Sequence, residues 1–401
     1  MNIRNIAIIA HVDHGKTTLV NELLKTGGAF RDNEEITDRV MDNNDIERER
    51  GITILAKTTS VYYKDTKINI LDTPGHADFG GEVERIMNMV DGCLLLVDAF
   101  EGTMPQTRFV LKKALQAHIK PIVCINKVDR PNINIEKTLD EVLELFIELG
   151  APDDLLEFPV VYTSALKGTS SLHANLDTQV PGMECVLDTI IKEIEEPKVE
   201  VESPLQMQIS LLDYNDFVGR IGIGTIKKGT IHLNDTVTVS RLDGSTTNFR
   251  VMKLFGFQGL KRIEINEASA GEIVSVAGLA DINVGETINE FNKPDPLPLI
   301  KLDEPTLQMT FGTNSSPFAG QDGKFLTARH IQDRLYRETQ RDVALKVKRL
   351  DNREAWIVSG RGELHLGILI ENMRREGFEL EVSKPQVIIK EIDGVKCEPY
   401  E

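Results

Sequence analysis

The sequence predicts three folded regions in series: an α/β domain carrying a phosphate-binding loop, an antiparallel β-barrel domain, and an α+β ferredoxin-like domain. Three observations predict this. Apolar runs alternate with helical patterns as far as Glu196, helical patterns then vanish from Leu205, and a β-α-β-β-α-β succession follows a proline-rich linker.

In the first region, taken as residues 1–200, the runs RNIAIIA, KINILD, GCLLLVDAF, IKPIVCIN and PVVYTSA are apolar at nearly every position. Such runs suit strands covered on both faces, and the patterns GEVERIMNMV and TLDEVLELFIEL supply the covering helices, so a doubly wound sheet is expected. Residues 30–51 are dense in charge and poor in apolar period, which predicts a mobile loop rather than a packed element. The polar stretch KEIEEPKVEVESP closes the region. Residues 201–293 show short β-type runs with turn dipeptides, as in RIGIGTIKKGTIHLNDTVTV, and predict the barrel. After the linker NKPDPLPLIKLDEP, residues 304–385 read strand TLQMTFG, helix TARHIQDRLYRETQRD, strands ALKVKRL and AWIVSG, helix ELHLGILIENMRREG and strand FELEVS, the ferredoxin-like order. VIIKEIDGVKCEPYE, within residues 386–401, then begins a strand with no partner left, as at the start of a further, truncated domain.

Composition limits the function classes. At 401 residues each region can bury its own core, and the formal charge of −17 argues against a protein that coats nucleic acid nonspecifically, DNA included. A local basic run, Arg329, Arg334, Arg337, Arg341, Lys346, Lys348 and Arg349, reads equally as an RNA-contacting face or as a solvated one. The four cysteines are dispersed and form no C-x-x-C pair, and no apolar stretch reaches membrane-span length. A cytoplasmic monomer with no membrane partner is expected.

The chemistry is concentrated near the amino terminus. AHVDHGKT is one letter short of a P-loop, with Ala10 in place of the first glycine, between a strand and the helix TTLVNELLK. In such a loop successive backbone N–H groups wrap phosphates, a lysine reaches the outer phosphates and a hydroxyl serves magnesium. Asp13, His14, Gly15, Lys16, Thr17 and Thr18 are therefore the phosphate-binding candidates, while the side chains of His11 and His14 are expected to face solvent. Asp72-Thr73-Pro74-Gly75 follows the strand KINIL and brings a carboxylate toward magnesium and the Gly75 N–H toward a γ-phosphate. Thr53, in ERERGITI, offers a hydroxyl, so Thr17, Thr53 and Asp72 form the candidate Mg2+ set. Asn126, Lys127 and Asp129 follow PIVCI, where the Asp129 carboxylate can accept from guanine N1 and N2. Ser164-Ala165 follows PVVYT and can present a backbone N–H to guanine O6. His76, directly after Gly75, is the candidate for orienting the attacking water. Five elements in this order, each at the carboxyl end of a strand, point to GTP.

At these residues the chain resembles the translational GTPases, the class of elongation factor G, elongation factor Tu and LepA. AHVDHGKTT, ERERGITI, DTPGH, NKVD and SAL carry that resemblance. It implies an α/β P-loop GTPase domain, a hydrophobic gate of Val12 and Ile52 beside His76, GTP/GDP with Mg2+, and a monovalent cation near Asp13. MDNNDIERERGITI, HADFGGEVERIMNMVDGCLLLVDAFEGTMPQTRFVLKKAL and NSSPFAGQDGKFLTARHI are most similar to the BipA (TypA) family. That resemblance implies a ribosome-associated GTPase, with ribosomal RNA and proteins as partners, acting in translation or ribosome assembly and in adaptation to stress such as cold. A LepA-like or elongation-factor-G-like factor, a metabolic GTPase and a GTP-dependent binding module with negligible turnover remain as alternatives.

Overall fold

Alternate residues of β1 (Asn2–Ala10) face two apolar layers. Ile6, Ile8 and Ala10 pack into one, Ala7 and Ile9 into the other, which is the arrangement a doubly covered strand requires. The structure is a computed structural model that describes residues 2–28, 45–50, 53–300, 304–351, 353–392 and 394–399.

After β1 come α1 (Lys16–Thr26), α2 (Asp45–Arg50), β2 (Lys57–Tyr63), β3 (Thr66–Asp72), α3 (Gly80–Met87), β4 (Gly92–Asp98), α4 (Pro105–Gln116), β5 (Lys120–Asn126), α5 (Ile135–Glu148), α6 (Asp153–Leu156), β6 (Val160–Ser164), β7 (Thr169–Ser171), β8 (Val180–Pro181) and α7 (Glu184–Glu193). The sheet order is β2-β3-β1-β4-β5-β6-β7-β8. β3, β1, β4, β5 and β6 run parallel, and β2, β7 and β8 add antiparallel edges. Residues of α1 and α7 fill one layer and residues of α3, α4 and α5 the other. The parallel strands therefore end together, and the loops leaving those ends form the site.

The charge-dense segment departs from its expectation at α2. Ile46 and Glu47 are buried, and the Glu47 carboxylate accepts the N–H groups of Ile54 at 2.9 Å and Leu55 at 3.3 Å and pairs with Lys57 at 2.5 Å. Three tertiary partners make burial of this carboxylate tolerable, and no local period could reveal them. The rest of the expected loop, residues 30–44 and 51, lies outside the described residues, as does Ile52.

The barrel region contains β9 (Gln206–Asn215), β10 (Gly219–Lys228), β11 (Thr230–His232), β12 (Thr236–Ser240), β13 (Thr246–Arg250), β14 (Lys253–Gln258), β15 (Lys261–Glu264), β16 (Glu267–Ser269), β17 (Ile273–Ala277) and β18 (Thr287–Glu290). Its main sheet runs β13-β12-β18-β9-β10-β17-β14-β15, with β11-β16 as a separate pair. β2 meets this region directly: Ser60 bridges Gly259, the Thr59 hydroxyl donates to Gly259 O at 2.6 Å and the Ser60 hydroxyl to Phe257 O at 2.7 Å.

Compactness divides the chain into two units, one of Met1–Leu211, Gly222–Gly278 and Gly285–Leu299, the other of Leu212–Ile221, Leu279–Val284 and Ile300–Glu401. The second unit holds β19 (Leu307–Thr313), α8 (Ala328–Arg341), β20 (Lys346–Arg349), β21 (Ala355–Gly360), α9 (Glu363–Arg375) and β22 (Leu380–Val382). Their sheet order β20-β21-β19-β22 is the ferredoxin-like one, with Phe311, Leu335, Trp356, Leu366 and Met373 in the core. The basic run on α8 is interleaved with carboxylates: Arg334 pairs with Glu338 at 2.5 Å and Glu376 at 2.6 Å, and Arg329 with Asp333 at 3.8 Å. The last segment also differs from expectation. β23 (Gln386–Val387) pairs with β19, and β24 (Lys390–Ile392) pairs with β25 (Val395–Cys397). Gly394, at φ 80, supplies the left-handed residue that such a tight hairpin needs, so the strand has its partner.

Candidate functional site

The loop after β1 turns back on itself through Asp13 (φ 64) and Gly15 (φ 94) before α1 begins at Lys16. Gly15 is required there. A Cβ at this position would lie 2.5 Å from Asn126 Nδ2, in a backbone conformation that L side chains disfavour. Around this turn lies a cavity of about 300 Å3, and its walls include Val12, Asp13, Gly15, Lys16, Thr17, Thr18, Thr53, Gly75, His76, Asn126, Lys127, Asp129 and Ala165. These thirteen expected residues come from five separate stretches of sequence. They meet because β1, β5 and β6 end on the same edge of the parallel sheet and β3 delivers residues 73–76 beside them.

Three expected residues, Asp72, Ser164 and His14, stand elsewhere. Ile52 is outside the described residues. Asp72 is buried behind the cavity wall, with Lys16 Nζ 2.6 Å from its Oδ1 and the Thr53 hydroxyl 3.4 Å from its Oδ2. Ser164 supports the wall rather than forming it, because its hydroxyl donates to Asp129 Oδ1 at 2.6 Å and fixes the carboxylate's orientation. His14 corrects its expectation: its side chain is fully buried, with Nδ1 3.3 Å from both Leu96 O and Asp98 N. Burial lowers its pKa below the ordinary histidine value, opposed by the Leu96 carbonyl. The imidazole therefore packs beneath the loop, and only the backbone of His14 belongs to the turn. His11 does line the cavity, 5.2 Å from the His14 ring and edge-on to it.

A second correction concerns Ala165. Its N–H, expected to be open to a purine carbonyl, donates to Asn126 Oδ1 at 3.0 Å. Asn126 is thus a hub, since its Nδ2 also donates to His14 O at 2.8 Å and its Oδ1 accepts from the Thr163 hydroxyl at 3.0 Å. A guanine O6 at this wall would share the Ala165 N–H with Asn126.

Lys16 reaches Thr73 O at 2.5 Å as well as Asp72, so its ammonium lies where the phosphate loop meets the residues after β3. His76 Nδ1 lies 3.2 Å from the Asp78 N and 3.3 Å from Asp78 Oδ1, so Asp78 holds the ring at that nitrogen. The His76 ring also lines the cavity, which suits it to orienting a water. The set Thr17, Thr53 and Asp72 supplies only oxygen donors and a single carboxylate, which fits Mg2+, an ion usually held by one or two carboxylates together with substrate phosphates.

Sequence reasoning missed Asp98, Arg130 and Leu166. Arg130 and Leu166 line the cavity just beyond NKVD and SA, where neighbouring position was the available signal. Asp98 ends an apolar run, where a carboxylate reads as a strand terminus.

The chain is similar to known proteins along its whole length. Residues 1–196 match the elongation factor Tu GTP binding domain and residues 219–288 match elongation factor Tu domain 2. The large ribosomal subunit assembly factor BipA of Bacillus subtilis is 62% identical over 400 residues, covering 100% of this chain and 65% of that protein. The proteins of that name from Synechocystis and from Escherichia coli K12 are 56% and 54% identical over 399 residues, covering 100% of this chain and 66% and 65% of their own lengths. The chain thus spans 65–66% of the length of these relatives. The crystal structure of ttk003000868 from Thermus thermophilus superposes with a TM-score of 0.70 at 18% identity, covering 98% of this chain and 71% of that one, and so shares the fold. With relatives of 54–62% identity along its whole length and both elongation-factor domains matched in order, the chain belongs to the BipA family of translational GTPases.

Proposed function

We propose that this chain binds GTP and GDP, hydrolyses GTP, and acts as a nucleotide-driven switch in assembly of the large ribosomal subunit. The observation that carries this is the single cavity lined together by the Gly15-Lys16-Thr17 turn, by Asn126, Lys127 and Asp129, and by His76. The first group suits phosphates, the second a guanine edge, and the third a water at the outer phosphate.

In this proposal Lys16 leaves Asp72 for the β- and γ-phosphates, and the N–H groups of Asp13 to Thr18 wrap them. Asp129, held by Ser164, accepts from guanine N1 and N2, which adenine does not match. Thr17, Thr53 and Asp72 would hold Mg2+, which when bound neutralises charge developing on the β- and γ-oxygens. The Gly75 N–H faces the γ-phosphate, Val12 screens His76 from the loop side, and the His76 imidazole orients the attacking water. Asp13, exposed at the rim, is the residue near which a monovalent cation would sit.

The relatives' name, large ribosomal subunit assembly factor, supports a ribosomal partner, and in this proposal ribosomal RNA and proteins align His76. We place the protein in the cytoplasm as a monomer. Among the described residues no helix is long and apolar enough to cross a membrane.

The test is phosphate release from GTP by this chain, alone and with purified large ribosomal subunits, beside competition of GDP against ADP. Guanine-selective binding with turnover that rises on adding subunits supports the proposal. Binding without turnover in either condition would leave a GTP-dependent binding module in its place.

A further inference from the structure

We propose that Asp98 is a positioning residue that sets how long the nucleotide stays bound, its carboxylate holding Lys127 as a strut between the phosphate loop and the base-reading loop. This rests on the reading above, that the cavity takes a guanine nucleotide.

Asp98 closes β4 and is fully buried, and it is not among the cavity's lining residues. A carboxylate kept from water must be paired. Its Oδ1 accepts the N–H groups of Phe100 at 2.8 Å and Glu101 at 3.4 Å. Its Oδ2 lies 2.7 Å from Lys127 Nζ and 3.3 Å from Arg130 Nη1. Lys127 in turn donates to the backbone carbonyl of Asp13. The strut therefore runs from Asp98 through one ammonium to the phosphate loop.

The backbone shows why a strut is needed. Lys127 and Asp13 both adopt left-handed conformations, at φ 61 and φ 64. For residues other than glycine such geometry costs about 1–2 kcal/mol each and persists only when neighbours hold it. The Lys127 ammonium joins these two turns, and Asp98 is its carboxylate partner. Asp98 also reaches the phosphate loop directly, because its N–H lies 3.3 Å from His14 Nδ1. Base selection has a separate support, the Ser164 hydroxyl on Asp129. Loss of the Asp98 charge should therefore loosen the grip on both ends of the nucleotide and leave guanine preference in place.

The experiment is stopped-flow release of a fluorescent GDP from the full chain in four forms: unaltered, Asp98→Asn, Lys127→Met and both together. Losing a hydrogen bond to a charged group predicts roughly 10- to 100-fold faster release for each single variant. If Asp98 acts through Lys127, the double variant releases within about twofold of Lys127→Met alone. Release from Asp98→Asn at the unaltered rate overturns the proposal. So does full multiplication of the two single effects, the signature of independent structural damage. Should Asp98→Asn fail to fold, folded Lys127→Met decides the matter, and unaltered release from it rules the strut out. Absence of any fluorescent-GDP binding by the unaltered chain would instead overturn the nucleotide reading beneath the proposal.

Discussion

Gly15→Ala isolates what the phosphate-loop turn demands of its backbone. At φ 94 a left-handed alanine costs about 1–2 kcal/mol relative to ordinary backbone. Its Cβ would also sit 2.5 Å from Asn126 Nδ2, so the amide must move and give up its 2.8 Å bond to His14 O. Leaving such a buried partner unsatisfied costs about 1–3 kcal/mol, which brings the expected loss of stability to about 2–5 kcal/mol. The lone tryptophan cannot report it, because Trp356 lies in the core of the ferredoxin-like domain. Cys93 and Cys124 can. Both are buried in the nucleotide-binding domain, and burial pushes their thiols up to about 12, so they label only when that domain opens. Urea titration with mass-resolved labelling of these two thiols, beside fluorescent-GDP titration, gives stability and affinity separately. A labelling midpoint equivalent to less than about 0.5 kcal/mol of destabilisation, with affinity within about twofold, would refute the reasoning. Ala10→Gly, at the end of β1, is the control, expected to cost about 0.5–1 kcal/mol of stability with little change in affinity.

Other outcomes follow from the same geometry. His76→Ala should lose about 10²–10⁴-fold of subunit-stimulated turnover while GTP affinity stays within about threefold, measured by single-turnover phosphate release. Asp129→Asn should shift preference from guanine toward xanthine nucleotides in competition binding, and an unshifted preference would remove Asp129 from base reading. Glu47→Ala strands the N–H groups of Ile54 and Leu55, so their hydrogen exchange should quicken by roughly tenfold or more. Burial lowers the pKa of His14 in the folded chain, so the unfolded chain binds more protons below about pH 6.5 and stability should fall as pH drops through that range. His14→Gln should flatten that dependence in thiol-labelling midpoints between about pH 5 and 7.

The strands of the nucleotide-binding domain were legible because burial on both faces leaves an unbroken apolar run, as in Ala7 to Ala10. The cavity was legible because its residues are fixed by short local turns, Gly15 to Thr17 and Asn126 to Asp129. What escaped is side-chain pairing that follows no helix or strand period. Glu47 looks solvated in sequence and is buried because Lys57 and the N–H groups of Ile54 and Leu55, a short way onward in the chain, converge on its carboxylate. His14 looks like an exposed loop residue and is buried beneath its own loop, beside Leu96 and Asp98. Asp98 reads as the polar end of a strand because its partners lie far onward in the chain, at Lys127 and Arg130. The closing hairpin escaped for the opposite reason, since its partner strand is only three residues long.

The barrel's grip on β2 bears on how this chain can be cut. β2 is the outermost strand of its sheet, and an uncovered outermost strand is a template on which further copies can add. Here Gly259 bridges Ser60, and the Thr59 and Ser60 hydroxyls are buried against the carbonyls of Gly259 and Phe257. A fragment ending near residue 200 would bare that strand with two hydroxyls stripped of their acceptors. Its tendency to precipitate would come from an opened seam and would not mean that the nucleotide-binding fold is itself unstable.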